Sequence, residues 1–153
     1  MILYALLKWV HVLAAIVVVG AHASYGVWIV RASNHREALP FTLRNIKLLD
    51  ERVVSPAIGV QLVTGFAMAL IARAWLTAPW LITALVLFVV VVLVHLLAYR
   101  PVLSRLIELL DREGIESASY RAAADREMRL GITLVLLMVV IVFLMVVKPG
   151  LWA

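Results

Sequence analysis

The stretch LLKWVHVLAAIVVVGAHASYGVWIV, residues 6–30, is almost entirely apolar, and it decides the fold class of the chain. A helix that crosses a bilayer core requires about 20 apolar residues, and this stretch is long enough. It is too long for the apolar region of a cleaved signal peptide, and it lacks a small-residue cleavage site. We therefore expect a transmembrane helix that contains two histidines, His11 and His22.

Three further apolar stretches, each bounded by charged residues, predict three more transmembrane helices. The composition agrees, because 65% of the residues are hydrophobic, only 15% are charged and the mean hydropathy is +1.08. Ordinary soluble domains do not have this balance. The predicted fold class is all-α, an integral membrane four-helix bundle that forms a single transmembrane domain over residues 1–153, with spans at about 5–30, 53–73, 79–99 and 130–148.

Positive charge is distributed unevenly over the connections between these spans. The connections at residues 31–52 and 100–129 hold five and six of the 14 lysines and arginines. Cytoplasmic loops carry such an excess, which predicts a bacterial inner-membrane protein with both termini outside. The same bias explains the net charge of +5, so we expect no nucleic-acid partner. The expected partners are membrane lipids and either a redox partner or a second copy of the chain.

The two long connections are themselves expected to be helical. In LIELLDREGIESASYRAAADREMRL, residues 106–130, apolar and charged positions alternate at roughly helical spacing, and Gly114 is expected to break the run. Residues 41–54 are expected to run helically into the second span, with Pro56 kinking its first turn. No aspartate or glutamate falls within a predicted span, which argues against an ion-coupled transporter.

Distance from the flanking charges sorts the unusual intramembrane residues into layers, because a helix rises about 1.5 Å per residue. From outside to inside, the layers contain His11 with Met68 and Met145, then His22 with Gln61, and finally His95. His22 and His95 differ in depth by only about 6 Å, whereas His11 and His95 lie near opposite faces of the membrane. His22 and His95 are therefore the better pair of ligands for one iron.

Histidines inside hydrocarbon are a functional hypothesis by default, because lipid offers an imidazole no hydrogen-bond partner. In one interpretation they only join helices, for instance His22 to Gln61. In a second they ligate haem iron among small residues that leave space for the macrocycle. In a third, His11, Met68 and Met145 bind Cu(I), or a His/Met pair binds haem. The chain has no cysteine, which excludes thiolate and iron–sulfur sites.

Three segments resemble a known group of small bacterial membrane proteins, the HemJ-type protoporphyrinogen oxidases and CopD-like copper-resistance proteins. They are LLKWVHVLAAIVVVGA at residues 6–21, LVHLLAYRPVLSRL at 93–106 and VIVFLMVVKPG at 140–150. The resemblance implies a haem ligand at His11 and matches a family histidine to His95. The chain departs from the family pattern at two positions. Val18 stands where the family has a tryptophan, and no lysine is present near Thr83, where HemJ-type proteins carry one in helix three.

The preferred hypothesis is a membrane protein that binds haem b or a related porphyrin for electron transfer or porphyrin redox chemistry. The candidate cofactor-binding residues are His11, His22, His95, Met68, Met145 and Gln61, with His11 and His95 as the candidate iron ligands. The alternatives are a cofactor-free membrane scaffold or accessory subunit, and a copper-handling protein. Whether the protein is an enzyme stays open, because no catalytic motif accompanies these residues.

Overall fold

The computed structural model describes residues 2–72 and 78–150, and these residues form helices and short turns without any strand. The six α-helices are α1 (Ile2–Ser33), α2 (Leu39–Leu49), α3 (Ser55–Ala72), α4 (Pro79–Val94), α5 (Arg100–Glu113) and α6 (Ala118–Val147). A π-helical turn, Asp50–Val54, joins α2 to α3, and a second one, His95–Tyr99, joins α4 to α5.

The helices combine into four continuous rods, each long and apolar enough to cross a membrane. The rods span Ile2–Ser33, Leu39–Ala72, Pro79–Glu113 and Ala118–Val147. They confirm the predicted all-α class with four membrane-spanning helices. Arg73, the predicted end of the second span, and the connection 73–77 lie outside the described residues.

The bundle is packed around α6, which contacts α1, α4 and α5, while α1 also packs along α3. Its core is mainly aliphatic, with Val18, Val91, Leu134 and Ile141 among its buried members. Large apolar side chains also cover the outside of the rods, as at Leu97, which is 74% exposed. Apolar residues on every face are typical of helices that lie in lipid.

The rods continue beyond the apolar spans as amphipathic helices at one end of the bundle. Helix α2 buries Leu39, Leu43 and Ile46, and it packs against the apolar face of α5. Helix α5 ends at Glu113 because Gly114 adopts a positive φ of 79°, which confirms the predicted break. We call this end, at which Arg31, Arg52, Arg100 and Arg129 lie, the inner end.

A proline stands two residues after the end of each π-helical turn. In the first turn, the backbone amide of Ser55 donates to the carbonyl of Asp50, and Pro56 is the next residue. In the second turn, the amide of Arg100 donates to the carbonyl of His95, and Pro101 is the next residue. A proline inside a helix collides with the carbonyl four residues earlier, and a wider turn moves that carbonyl away. The predicted distortion at Pro56 therefore takes the form of a π turn, and Pro101 produces a second one.

Candidate metal centre

Three ionisable side chains meet inside the inner end of the bundle: His22 from α1, Asp50 from the first π turn and His95 from the second. One potential ligand atom of each residue lies within 4.8 Å of those of the other two. All three side chains are buried, with exposed fractions of 4%, 1% and 0%. The two π turns thus deliver two of the three residues, and π turns are frequent at functional sites.

The hydrogen bond of His22 fixes which of its ring nitrogens is free. Its Nδ1 lies 3.0 Å from the carbonyl oxygen of Val18, one helical turn earlier. A carbonyl only accepts hydrogen bonds, so Nδ1 carries the proton and the neutral ring keeps its lone pair on Nε2. Nε2 is buried without a hydrogen-bond partner among the described residues. Histidine ligands of metals are commonly oriented by such a bond from the opposite nitrogen.

His95 and Asp50 also present unsatisfied polar atoms to this site. His95 Nε2 is 3.5 Å from Asp50 Oδ2, yet both ring nitrogens of His95 and the Oδ1 of Asp50 lack hydrogen-bond partners in the described structure. On the other side, Arg100 Nε lies 3.6 Å from Asp50 Oδ2. Buried polar groups are normally satisfied, so an orphaned set of this kind indicates a ligand that all three residues share.

The donor set has a defined chemistry. Two imidazoles and one carboxylate match the ligand type of non-haem iron sites, and the same donors also suit zinc and manganese. Two donors bound to one ion at about 2.0–2.2 Å lie at most about 4.4 Å apart, so any pair of these atoms near the 4.8 Å limit must approach to bind a metal. Three protein ligands leave further coordination positions for water or substrate, which is typical of a reactive centre rather than a structural one.

Two tyrosines enclose the pair of histidines. The ring of Tyr99 stacks on His95 with a centroid distance of 5.8 Å and an interplanar angle of 20°. Tyr25 lies against His22 with a centroid distance of 5.6 Å, and its buried hydroxyl has no partner among the described residues. These rings separate the site from lipid on the sides that they cover.

A cavity of about 250 Å³ opens beside His22 between α1 and α6. Its polar wall is formed by His22, Tyr25, Tyr99 and Glu127, and Glu127 is only 3% exposed. The rest of the wall is apolar or formed by glycine, with Ala23, Gly26, Met128, Gly131, Ile132, Val135 and Leu136. The cluster of His22, Asp50 and His95 therefore has a neighbouring cavity of about 250 Å³.

The structure brings His22 and His95 together, with ring centroids 5.4 Å apart, as the depth argument predicted. It does not pair His22 with Gln61, because Nδ1 of His22 donates to the Val18 carbonyl and Nε2 has no partner among the described residues. Gln61 instead lines a small, separate cavity beside Val18 and Met138. The suggested cross-helix bond from His22 to Gln61 is therefore wrong.

His11 lies apart from this cluster, on the outer half of α1, where it contacts α3. Its Nδ1 is 3.0 Å from the Thr64 hydroxyl, which itself donates to the carbonyl of Val60 at 2.7 Å. His11 Nδ1 is therefore the donor to Thr64. Met68 and Met145 are half-buried near the outer ends of α3 and α6.

The acidic members of the site do not follow from the apolar pattern. Asp50 precedes the apolar window of the second span and Glu127 precedes that of the fourth, so the pattern predicts that both lie in connections. A signal was nevertheless present, since Asp50 and His95 each stand six residues before a proline, Pro56 or Pro101. That spacing places both residues at the start of a π turn.

Comparison with known proteins gives the family of the chain. No curated protein and no solved structure matches it significantly. One family model does match, over residues 5–149, which is nearly the whole chain. The chain therefore belongs to the family described as Predicted integral membrane protein (DUF2269).

Proposed function

We propose that this integral membrane protein binds a transition-metal ion through His22, Asp50 and His95 at the inner end of its helical bundle. Iron in a non-haem site is the metal that this donor set favours. The proposal extends to a bacterial inner membrane location, in which the site would lie near the cytoplasmic face. The open coordination positions would then serve redox chemistry on a molecule that reaches the site from the lipid.

The observation that carries this proposal is the set of buried atoms without partners. His22 Nε2, His95 Nε2 and Asp50 Oδ1 are all enclosed, and none has a hydrogen-bond partner in the described part of the chain. Leaving such groups unsatisfied costs about 1–3 kcal/mol each, and more when a group is charged. A divalent cation coordinated by all three residues would remove this penalty and balance the carboxylate.

Metal analysis of the detergent-purified protein tests the proposal. We expect about one iron, manganese or zinc ion per chain, with no visible Soret band. His22→Ala, His95→Ala and the nearly isosteric Asp50→Asn should each lower the metal affinity about tenfold or more. Glu51→Gln is the matched control, because Glu51 is half-exposed and its carboxylate faces Arg100 rather than the histidines. Metal content unaffected by all three variants would reject the site.

Haem b is the second candidate, and the resemblance to HemJ-type proteins supports it. His22 and His95 face one another, and Gly26 and Gly131 lie beside them. The cavity of about 250 Å³ is, however, smaller than the roughly 300–1,000 Å³ of typical ligand pockets, so a porphyrin requires α1 and α6 to separate. A Soret band that disappears in His22→Ala and His95→Ala would favour haem over the bare ion.

The remaining candidates make different predictions in the same measurements. Copper handling by His11, Met68 and Met145 predicts Cu(I) binding that survives Asp50→Asn and is lost in Met68→Leu. A cofactor-free scaffold predicts neither metal nor colour, and substitution of the histidines would then change only stability. The hydrogen bond from His11 to Thr64 supports such a joining role for His11 itself.

A further inference from the structure

We propose that the cavity between α1 and α6 binds the head group of a lipid-soluble benzoquinone or its quinol. This ligand site lies beside the proposed metal centre, but it rests on the cavity and not on the metal. The two proposals can therefore fail separately.

The size of the cavity matches one substituted ring. An apolar cavity of about 150 Å³ in another protein accepts benzene, so a cavity of about 250 Å³ can hold a six-membered ring with several substituents. The shape favours a flat molecule. A Cβ atom added at Gly26 would meet no atom within 4 Å, and one added at Gly131 would meet only Tyr99 Cε2, at 3.9 Å. Glycine at both positions thus keeps space open on the two walls.

The polar wall fits the oxygens of a quinone or quinol. The Tyr25 hydroxyl is fully enclosed and has no partner in the described structure, so a movement of its ring toward the cavity would let it donate to a quinone carbonyl. Glu127 lies on the same wall, beside Tyr99, and can accept a hydrogen bond from a quinol hydroxyl.

Access to the cavity is from the side of the bundle. Ile132 and Leu136 line the cavity and are also 53% and 61% exposed on the outer face of α6. In a membrane this face contacts acyl chains, so a ligand dissolved in the bilayer reaches the cavity without passing through water. A quinone with an alkyl tail would place its ring by Tyr25 and leave its tail among the lipids.

Calorimetric titration of the purified, chelator-treated protein with a decyl-substituted benzoquinone tests this inference. We expect saturable binding, accompanied by a rise in unfolding temperature. Gly131→Val should weaken binding about tenfold or more, because the added methyl groups occupy the cavity. Tyr25→Phe should weaken it about three- to tenfold through loss of one hydrogen bond. Gly20→Val is the control, because Gly20 is an exposed glycine of α1 that does not line the cavity and has open space around it.

Two results would overturn the inference. Equal heats for wild type and Gly131→Val would show that the quinone only partitions into the detergent. Equal affinity for an alkylbenzene with the same tail would show that the polar wall contributes nothing. Should Gly131→Val not fold, Gly131→Ala replaces it, since the added Cβ makes only an ordinary contact with Tyr99. Quinone binding without metal binding would reject the metal centre alone, and the converse result would reject only the quinone site.

Discussion

At the scale of single residues, His11 and His22 differ in the groups that their ring nitrogens contact. His22 has one nitrogen fixed by a backbone carbonyl and directs the other toward His95 and Asp50. His11 uses one nitrogen to join two helices through Thr64. Depth along the helix predicted the meeting of His22 with His95. It did not predict Asp50, because an apolar window ends at the first charged residue, although the helix continues beyond it.

The close approach of α1 and α3 at His11 gives a prediction for a single glycine. A Cβ atom at Gly65 would lie 2.9 Å from His11 Cε1, so the imidazole must move. Because this movement disturbs the hydrogen bond from His11 to Thr64, Gly65→Ala should destabilise the protein by about 0.5–1.5 kcal/mol. Thermal unfolding in detergent measures the effect. Gly59→Ala on the same helix is the control, because nothing lies within 4 Å of its added Cβ.

The double variant His11→Ala with Gly65→Ala shows whether His11 causes that strain. Removing the imidazole should make the added methyl tolerable, so the two changes should couple by about 0.5–1.5 kcal/mol. Strictly additive effects would mean that His11 does not pack on Gly65 in the membrane protein.

At the scale of elements, each π turn begins at a residue of the cluster, Asp50 or His95, and is followed by a proline. Four spans, helical connections and the break at Gly114 followed from apolar length and residue spacing alone. The π turns did not, because periodicity over a window of residues cannot resolve one extra residue in one turn. A single residue inserted into a helix rotates the preceding part of the helix by about 100° relative to the following part. This rotation is enough to turn a side chain from the lipid-facing side into the core.

Substitution of Pro101 tests this connection. Pro101→Ala removes the steric reason for the turn at His95–Tyr99, so this segment should shift toward regular α-helix and His95 should leave Asp50. We expect circular dichroism to show unchanged helix content while metal affinity falls. Pro79→Ala, in the first turn of α4, is the control. Unchanged affinity in Pro101→Ala would show that the cluster itself, rather than the proline, maintains the π turn.

At the scale of the whole molecule, the amphipathic ends of the rods close one face of the bundle. Helices α2, α5 and the start of α6 pack together there, and exposed ion pairs such as Arg44–Asp111, at 2.8 Å, lie on their outside. Such surface pairs contribute only about 0–1 kcal/mol, so the buried leucines, including Leu43 and Leu103, provide the stability of this end. The site therefore lies between a lipid-facing bundle and a compact polar cap.

The orientation of the molecule is a prediction that the absence of cysteine makes easy to test. Single cysteines introduced at Asn34 and Arg112 should be protected from a membrane-impermeant maleimide added to intact spheroplasts. A cysteine at Gly150 should be labelled, because the positive-inside distribution predicts that both termini lie outside. Labelling at Asn34 with protection at Gly150 would reverse the orientation and move the site toward the outer face.

X-ray absorption at the edge of the bound metal is the most direct test of the central claim, that His22, Asp50 and His95 coordinate an ion. We predict a first shell of nitrogen and oxygen atoms at about 2.0–2.2 Å, with the outer-shell scattering of two imidazoles. One imidazole should disappear in His95→Ala. Sulfur in the first shell, or the rigid pattern of four porphyrin nitrogens, would contradict a site made of these three residues.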